Sequence, residues 1–168
     1  MAMITPEVGR PLLPSDYGVP QDAEGLLPWS HVVERLTAAK NYWICTTRPD
    51  GRPHATPIWG VFFEGQIYFD GSPETRRGKN LAANPAITVH LESGDEVVIV
   101  EGTAEQITPP DRAFAERLAA AYAAKYADKG YSPAPETWDG GGLYRVTHQL
   151  VLAWTTFPAD MTRWRFRE

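Results

Sequence analysis

The sequence predicts a mostly β protein, an antiparallel barrel of six or seven strands carrying two or three α-helices. Three observations lead there. Short β-branched and aromatic runs follow one another through the middle of the chain, the breaks between them are short turns bearing Gly, Asp and Pro, and one segment has a sustained helical repeat. Consecutive strands joined by tight turns close into an antiparallel barrel, because parallel strands would need long crossovers.

Taken in order, residues 1–28 hold five of the fifteen prolines with little periodicity and read as an irregular arm ahead of one domain over 29–168. Ser30 is a candidate N-cap for a helix over 31–40, where Val32, Leu36 and Ala39 keep helical spacing. Tyr42–Thr47 is a strand and Pro49-Asp50-Gly51 its turn. His54–Phe63 is read as a second strand, ended by Glu64-Gly65, and Gln66–Asp70 as a third, together a β-meander. Residues 74–83 form a short helix stopped by Asn84-Pro85. Ile87–Leu91 and Glu96–Ile107 are strands around Ser93-Gly94-Asp95. Beyond Pro109-Pro110-Asp111, Phe114, Leu118, Tyr122 and Tyr126 recur every fourth residue, which makes this the clearest helix. Residues 128–142 are a Gly- and Pro-rich loop, Leu143–Phe157 is one long strand or a bent pair, and Thr162–Phe166 is the last strand.

Composition narrows the function. A chain of 168 residues with 43% apolar and 22% charged residues can bury its own core as one domain. The single cysteine, Cys45, cannot form an internal disulfide, and it reads as a small buried hydrophobe rather than a nucleophile. The first residues lack a basic stretch followed by an apolar run, and no window reaches the ~18 apolar residues of a membrane span, so the expected location is the cytoplasm, off the membrane. A net charge of −5 argues against nucleic-acid binding. His31, His54, His90 and His148 stand at no metal-ligand spacing, so no metal site is expected. Neither a P-loop nor a G-x-S-x-G elbow occurs.

One segment carries a chemical signal. In Asp70-Gly71-Ser72-Pro73-Glu74-Thr75-Arg76-Arg77-Gly78-Lys79-Asn80 a strand ends, a Gly/Ser turn follows, and a helix opens with three cations in four positions. Unpaired N–H groups at a helix N-terminus, joined by Arg76, Arg77 and Lys79, make a phosphate site; the alternative is a solvated basic helix face. Just upstream, Pro57 cannot donate to a ladder, which puts it on an edge or at an opening. An open strand there could bond the polar rim of a flat heterocycle, or be a plain edge strand with a packed tryptophan.

These pieces resemble a known family. G-R-P-H-A-T-P-I-W, a hairpin to I-Y-F-D-G-S, then T-R-R-x-K-N-L-x-x-N-P, V-H-L-E, V-x-V-E-G-x-A-E and the closing T-R-W-R-F are similar, in this order, to the split β-barrel superfamily of pyridoxamine-phosphate oxidases. The likeness covers residues 29–108 and 162–166, and leans toward the branch of flavin/deazaflavin oxidoreductases that uses coenzyme F420. It implies a split barrel of the FMN-binding type. It also implies that His54, Thr56, Pro57, Ile58 and Trp59 line a flavin or deazaflavin ring, and that Asp70, Gly71 and Ser72 approach the ribityl chain. Thr75, Arg76 and Arg77, with Lys79 and Asn80 behind, would hold the phosphate. It further implies a homodimer with the cofactor in a groove between chains, where Arg163 or Trp164 contacts the partner's cofactor. Two departures stand out. Thr56 occupies a position where the flavin-dependent oxidases carry a phosphate-holding arginine, and the tail lacks the arginine- and histidine-containing ending that contacts pyridoxine phosphate.

The resemblance therefore implies an F420-dependent reductase that passes a hydride from reduced deazaflavin to a small unsaturated acceptor. The alternatives are an FMN-dependent oxidoreductase of the same fold and a non-catalytic protein that binds or carries a cofactor or tetrapyrrole. The sequence nominates no catalytic residue; His54 is the one titratable group in the ring-lining strand, and alternation leaves open which way it faces.

Overall fold

The arm that reads as irregular in the sequence contributes a strand. In the computed structural model, which describes residues 5–166, β1 (Glu7–Gly9) pairs antiparallel with the last strand, β9 (Thr162–Arg165). Arg10 then fastens the arm, donating to Asp22 O (3.0 Å), Ala159 O (2.9 Å), Met161 O (3.0 Å) and Glu24 O. Helix α1 (Trp29–Ala38) begins two residues before the expected start. Extended Pro28 holds the N-cap position and its carbonyl accepts from His31 N at 3.0 Å, so Ser30 lies inside the first turn and caps nothing. Its buried stripe is Val32 and Leu36.

Alternation orders the next strands. Tyr42, Ile44 and Thr46 of β2 (Tyr42–Thr47) are buried and Trp43, Cys45 and Thr47 half-buried. β3 (Pro53–Ile58) lies antiparallel to β2, with Ile58 opposite Tyr42, Thr56 opposite Ile44 and His54 opposite Thr46. The run His54–Phe63 is not one strand. The chain turns a corner at Trp59, and β4 (Gly60–Phe63) forms a hairpin with β5 (Gln66–Asp70) instead of continuing beside β2. Glu64 and Gly65 both take positive φ, 48° and 80°, which suits the two-residue turn matching strand twist.

Helix α2 (Arg76–Ala83) leads to β6 (Ala86–His90), β7 (Val97–Ile107), helix α3 (Arg112–Lys125) and β8 (Leu143–Trp154). Asp111 caps α3 by accepting from Phe114 N at 3.0 Å. Between α3 and β8 the loop contains two short 3₁₀ turns, 127–129 and 135–138. All strand pairs are antiparallel, in the order β1-β9-β8-β7-β6-β2-β3. β5 joins the first residues of β8, and β4 joins β5. The described residues thus give nine strands rather than seven, since the arm adds one and the Trp59 corner splits another. β3 and β4 do not pair, so the sheet stays open between them: a split barrel.

β7 and β8 are long because they serve both halves. β8 pairs with β5 through Leu143–Val146 and with β9 through Leu150–Ala153, and the β7–β8 register shifts between Glu101 and Gly102. A Cβ on Gly102 would overlap Thr147 O, so only glycine permits that close approach at the bulge. The barrel interior is filled by Val32, Leu36, Ile44, Phe69, Val100, Val151 and Trp164. A second core sets Leu118 and Tyr122 of α3 against Val61, Tyr68 and Trp138. The opposite sheet face carries the rank Pro57–Trp43–His90–Ile99–Leu152–Arg163, in register across six strands, and every member is exposed or half-buried. Among the described residues, no helix is long and apolar enough to cross a membrane.

Candidate functional site

The turn from β5 into α2 is built by its own hydroxyls. Thr75 caps α2, its Oγ1 accepting from Gly78 N at 3.2 Å and donating to Ser72 O at 2.8 Å. Gly78 has to be glycine, because a Cβ there would strike the Pro73 carbonyl. The N–H groups of Arg76 and Arg77 lie in the first turn, where no intrahelical acceptor exists. Arg76 is exposed and makes no ion pair among the described residues. Arg77 folds back under Gly71, where its Nη2 reaches Asp70 O over a long 3.3 Å and its buried Nε has no partner. A Cβ at Gly71 (φ 150°) would overlap that guanidinium. Lys79 is exposed and pairs with Glu74 at 3.1 Å.

Two cations at a helix N-terminus with weak or no internal partners suit an anionic group, since re-aiming them breaks at most one long hydrogen bond. Beside them, a cleft of about 350 Å³ runs between α2 and the β7–β8 pair, lined in part by Pro73, Gly78, Leu81, Ala104, Gln106 and Tyr144. That volume lies in the range of small-molecule sites.

β3 places its candidates on two faces. His54, Thr56 and Ile58 point with Thr46, Ile44 and Tyr42 toward the barrel interior, while Pro57 is exposed on the other face. Asn80 Nδ2 donates to Thr46 Oγ1 at 2.9 Å, and His54 stands opposite Thr46. Among the described residues His54 Nδ1 and Asn80 Oδ1 are buried without partners, on either side of Thr46, where α2 packs on β2. Asn80 is fully buried and so offers no side chain to solvent.

Several expected contacts are engaged elsewhere. Asp70 is turned away from the α2 N-terminus, its Oδ2 accepting from Tyr131 OH at 2.5 Å and Trp138 Nε1 at 3.2 Å. Burial and this carboxylate push the Tyr131 hydroxyl far above its ordinary pKa. Trp59, 37% exposed at the corner, stacks on Tyr126 with centroids 5.1 Å apart and meets the edge of Tyr131 at 5.6 Å. Trp164 is 1% exposed, packed against Trp29 in the core, and Arg163 pairs with Glu7 at 3.5 Å. Both sit on β9, five strands from β3 along the sheet, and do not meet the α2 cations within one chain. Tyr131 and Trp138 do not stand out in the sequence; two aromatics inside a Gly- and Pro-rich loop are the available signal. Among the described residues no group of three His, Cys, Asp or Glu side chains could hold a metal ion.

A family model described as pyridoxamine 5'-phosphate oxidase matches residues 29–153. Among solved structures, a conserved hypothetical protein from Mycobacterium tuberculosis is similar at 20% identity and TM-score 0.65, over 80% of this chain and 89% of that one. A heme binding protein from Mycobacterium smegmatis is similar at 18% identity and TM-score 0.60, over 81% of this chain and 57% of that one. A structure described as F420 reductase is similar at 23% identity and TM-score 0.51, over 70% of this chain and 94% of that one. At these identities the likeness is one of fold. No curated protein sequence matches the chain.

Proposed function

This chain belongs to the pyridoxamine 5'-phosphate oxidase family, and from that premise we propose that it is an F420-dependent reductase, acting as a homodimer on a small unsaturated acceptor. The observation that carries the reading is the distribution of positive charge. Cations gather at the N-terminus of α2, at Arg76, Arg77 and Lys79, whereas β3 (Pro53–Ile58) contains no lysine or arginine and has Thr56 at the matching position. A cofactor with a long anionic tail suits the first feature, and the second disfavours a flavin whose phosphate needs a β3 arginine.

When bound, reduced deazaflavin supplies a hydride. The chain's own residues bind and orient. Arg76 and Arg77 hold the anionic tail with the first-turn amides, and Lys79 assists once released from Glu74. The β3 edge beside Pro57, which among the described residues pairs with no strand on its outer side, offers main-chain groups to a ring. Trp59, rigid on Tyr126, walls one end and excludes water.

The second chain is proposed to cover the half-exposed rank on the outer sheet face, where Trp43, Ile99 and Leu152 would otherwise stay partly wet. That arrangement brings the partner's β9 toward a cofactor groove that one chain alone leaves open. A turnover assay tests the reading. The purified protein is mixed with reduced F420 and a panel of electron-poor alkenes, and return of the oxidised cofactor's absorbance is followed. Turnover with at least one acceptor is expected. Tight cofactor binding without turnover of any acceptor would make the protein a carrier instead.

A further inference from the structure

The cleft between α2 and the β7–β8 pair opens on a different face of α2 from the one packed on β2. Asn80 turns to β2, where it bonds Thr46, whereas Gly78 and Ala82 lie on the opposite side of the helix and, with Leu81, wall the cleft. The sheet supplies the other wall. Gln106 stands opposite Tyr144 in the β7–β8 register and Ala104 is two residues back along β7, so all three share one face.

Tyr144 is the polar group this cleft leaves open. It is 4% exposed, with its ring stacked on Phe69 at 5.0 Å between centroids. It lines the cleft, yet among the described residues its hydroxyl has no hydrogen-bond partner. A phenol buried this far ordinarily has one. Burial raises its pKa and the Arg77 charge opposes the rise, so at neutral pH the hydroxyl keeps its proton and can donate. Across the strand pair, Gln106 spends its amide nitrogen on Thr108 Oγ1 at 2.9 Å, which leaves its carbonyl oxygen to accept.

The cleft therefore presents one donor and one acceptor at neighbouring positions, beside a largely apolar wall of Pro73, Leu81, Ala82 and Ala104. Its charges are already matched. Lys79 pairs with Glu74 at 3.1 Å, and Glu105 accepts from Arg145 Nε at 2.8 Å, so neither an anion nor a cation is called for. A ligand that meets both polar groups at once needs a carbonyl and an N–H side by side. An open-chain amide points the two in opposite directions, because its cis form is costly, whereas a ring holds them on the same side.

We propose that this cleft is a second binding site, for an uncharged ring compound with the amide inside the ring, the lactam class. The lactam carbonyl accepts from the Tyr144 hydroxyl, its N–H donates to Gln106 Oε1, and the rest of the ring system packs on the apolar wall of α2.

The native protein, without cofactor, is titrated with carbostyril, a bicyclic lactam, and separately with quinoline, which has the same fused rings but neither the carbonyl nor the N–H. Proton–nitrogen correlation spectra follow the main-chain amides. Carbostyril is expected to bind saturably and to shift the amides of Gly78, Leu81, Ala104 and Tyr144, with quinoline about tenfold weaker. Tyr144→Phe keeps the ring on Phe69 and should lower carbostyril affinity about fivefold or more while leaving quinoline as it was. Arg76→Ala removes a cation assigned to the cofactor and should not alter carbostyril binding, so this site stands or falls apart from the cofactor role. Equal affinity for the two probes, full carbostyril affinity in Tyr144→Phe, shifts confined to other residues, or no saturable binding would each overturn the proposal.

Discussion

The Tyr126 hydroxyl grips both main-chain groups of Gly60, accepting from its N–H at 2.9 Å and lying 2.8 Å from its carbonyl. This holds the barrel open at a defined place. Gly60 is where β4 departs from the line of β3, and a strand edge there would otherwise present unpaired groups in a buried position. Gly60 cannot be larger, because a Cβ would sit 2.7 Å from Tyr68 O.

Removing the hydroxyl in Tyr126→Phe leaves the Gly60 N–H without its acceptor and should cost about 1–3 kcal/mol of stability. Urea unfolding at fixed pH measures it. A loss below about 0.5 kcal/mol would mean that water replaces the hydroxyl and the grip is not structural.

Asp70 plays a comparable part for the loop over 127–142, since Tyr131 and Trp138 both donate to its Oδ2. Asp70→Ala should leave the strands intact while amide hydrogen exchange across 127–142 accelerates, with a stability loss of about 1–3 kcal/mol for bonds to a charged acceptor. Unchanged exchange in that loop would show that its apolar packing suffices.

Lys125 makes stability depend on pH in an uncommon direction. The unfolded chain keeps this proton up to about 10.5, whereas burial, and then the Lys40 charge, make the folded chain release it near about 7. Between those values the unfolded state binds more protons, so raising the pH favours the fold. The stability of the native sequence minus that of Lys125→Met should therefore grow as pH rises from about 7 toward 10. A flat difference across that window would place the amine in water.

The half-exposed rank Pro57–Trp43–His90–Ile99–Leu152–Arg163 is the surface proposed to meet a second chain. Trp43→Glu and Leu152→Glu each put a charge in the middle of that face without touching the barrel interior. Sedimentation should show a dimer for the native protein and a shift toward monomer for either variant. A monomeric native protein that stays monomeric with cofactor bound would remove the shared groove.

Much of the fold is legible in the sequence because its signals are local. The β-branched and aromatic runs Tyr42–Thr47 and Gln66–Asp70, bounded by turn residues, and the four-residue repeat of Phe114, Leu118 and Tyr122 each fix an element from a few neighbours. At the Trp59 corner Pro57 and Gly60 mark an opening, but that the chain turns there into a separate strand depends on Tyr126, 66 residues away from Gly60. β1 is three residues long and owes its place to β9 and to Arg10 reaching Ala159 and Met161. The site divides in the same way. Thr75, Arg76 and Arg77 are contiguous and can be read together, while the engagement of Asp70 by Tyr131 and Trp138, and the burial of Trp164 against Trp29, depend on partners far away in the chain.

The proposed cofactor role is tested most sharply by a fluorescence titration of the purified protein with F420 and, separately, with FMN, repeated on Arg76→Ala/Lys79→Ala. Micromolar or tighter binding of F420 is expected, with weaker binding of FMN and a fall in F420 affinity of about tenfold or more in the variant. The melting temperature of the variant should hardly change, since both side chains are exposed and the Lys79–Glu74 pair is a surface one. Preference for FMN would transfer the function to the flavin-dependent reading. Full affinity in the variant, or no binding of either cofactor, would contradict the assignment of the α2 cations to the cofactor's anionic tail.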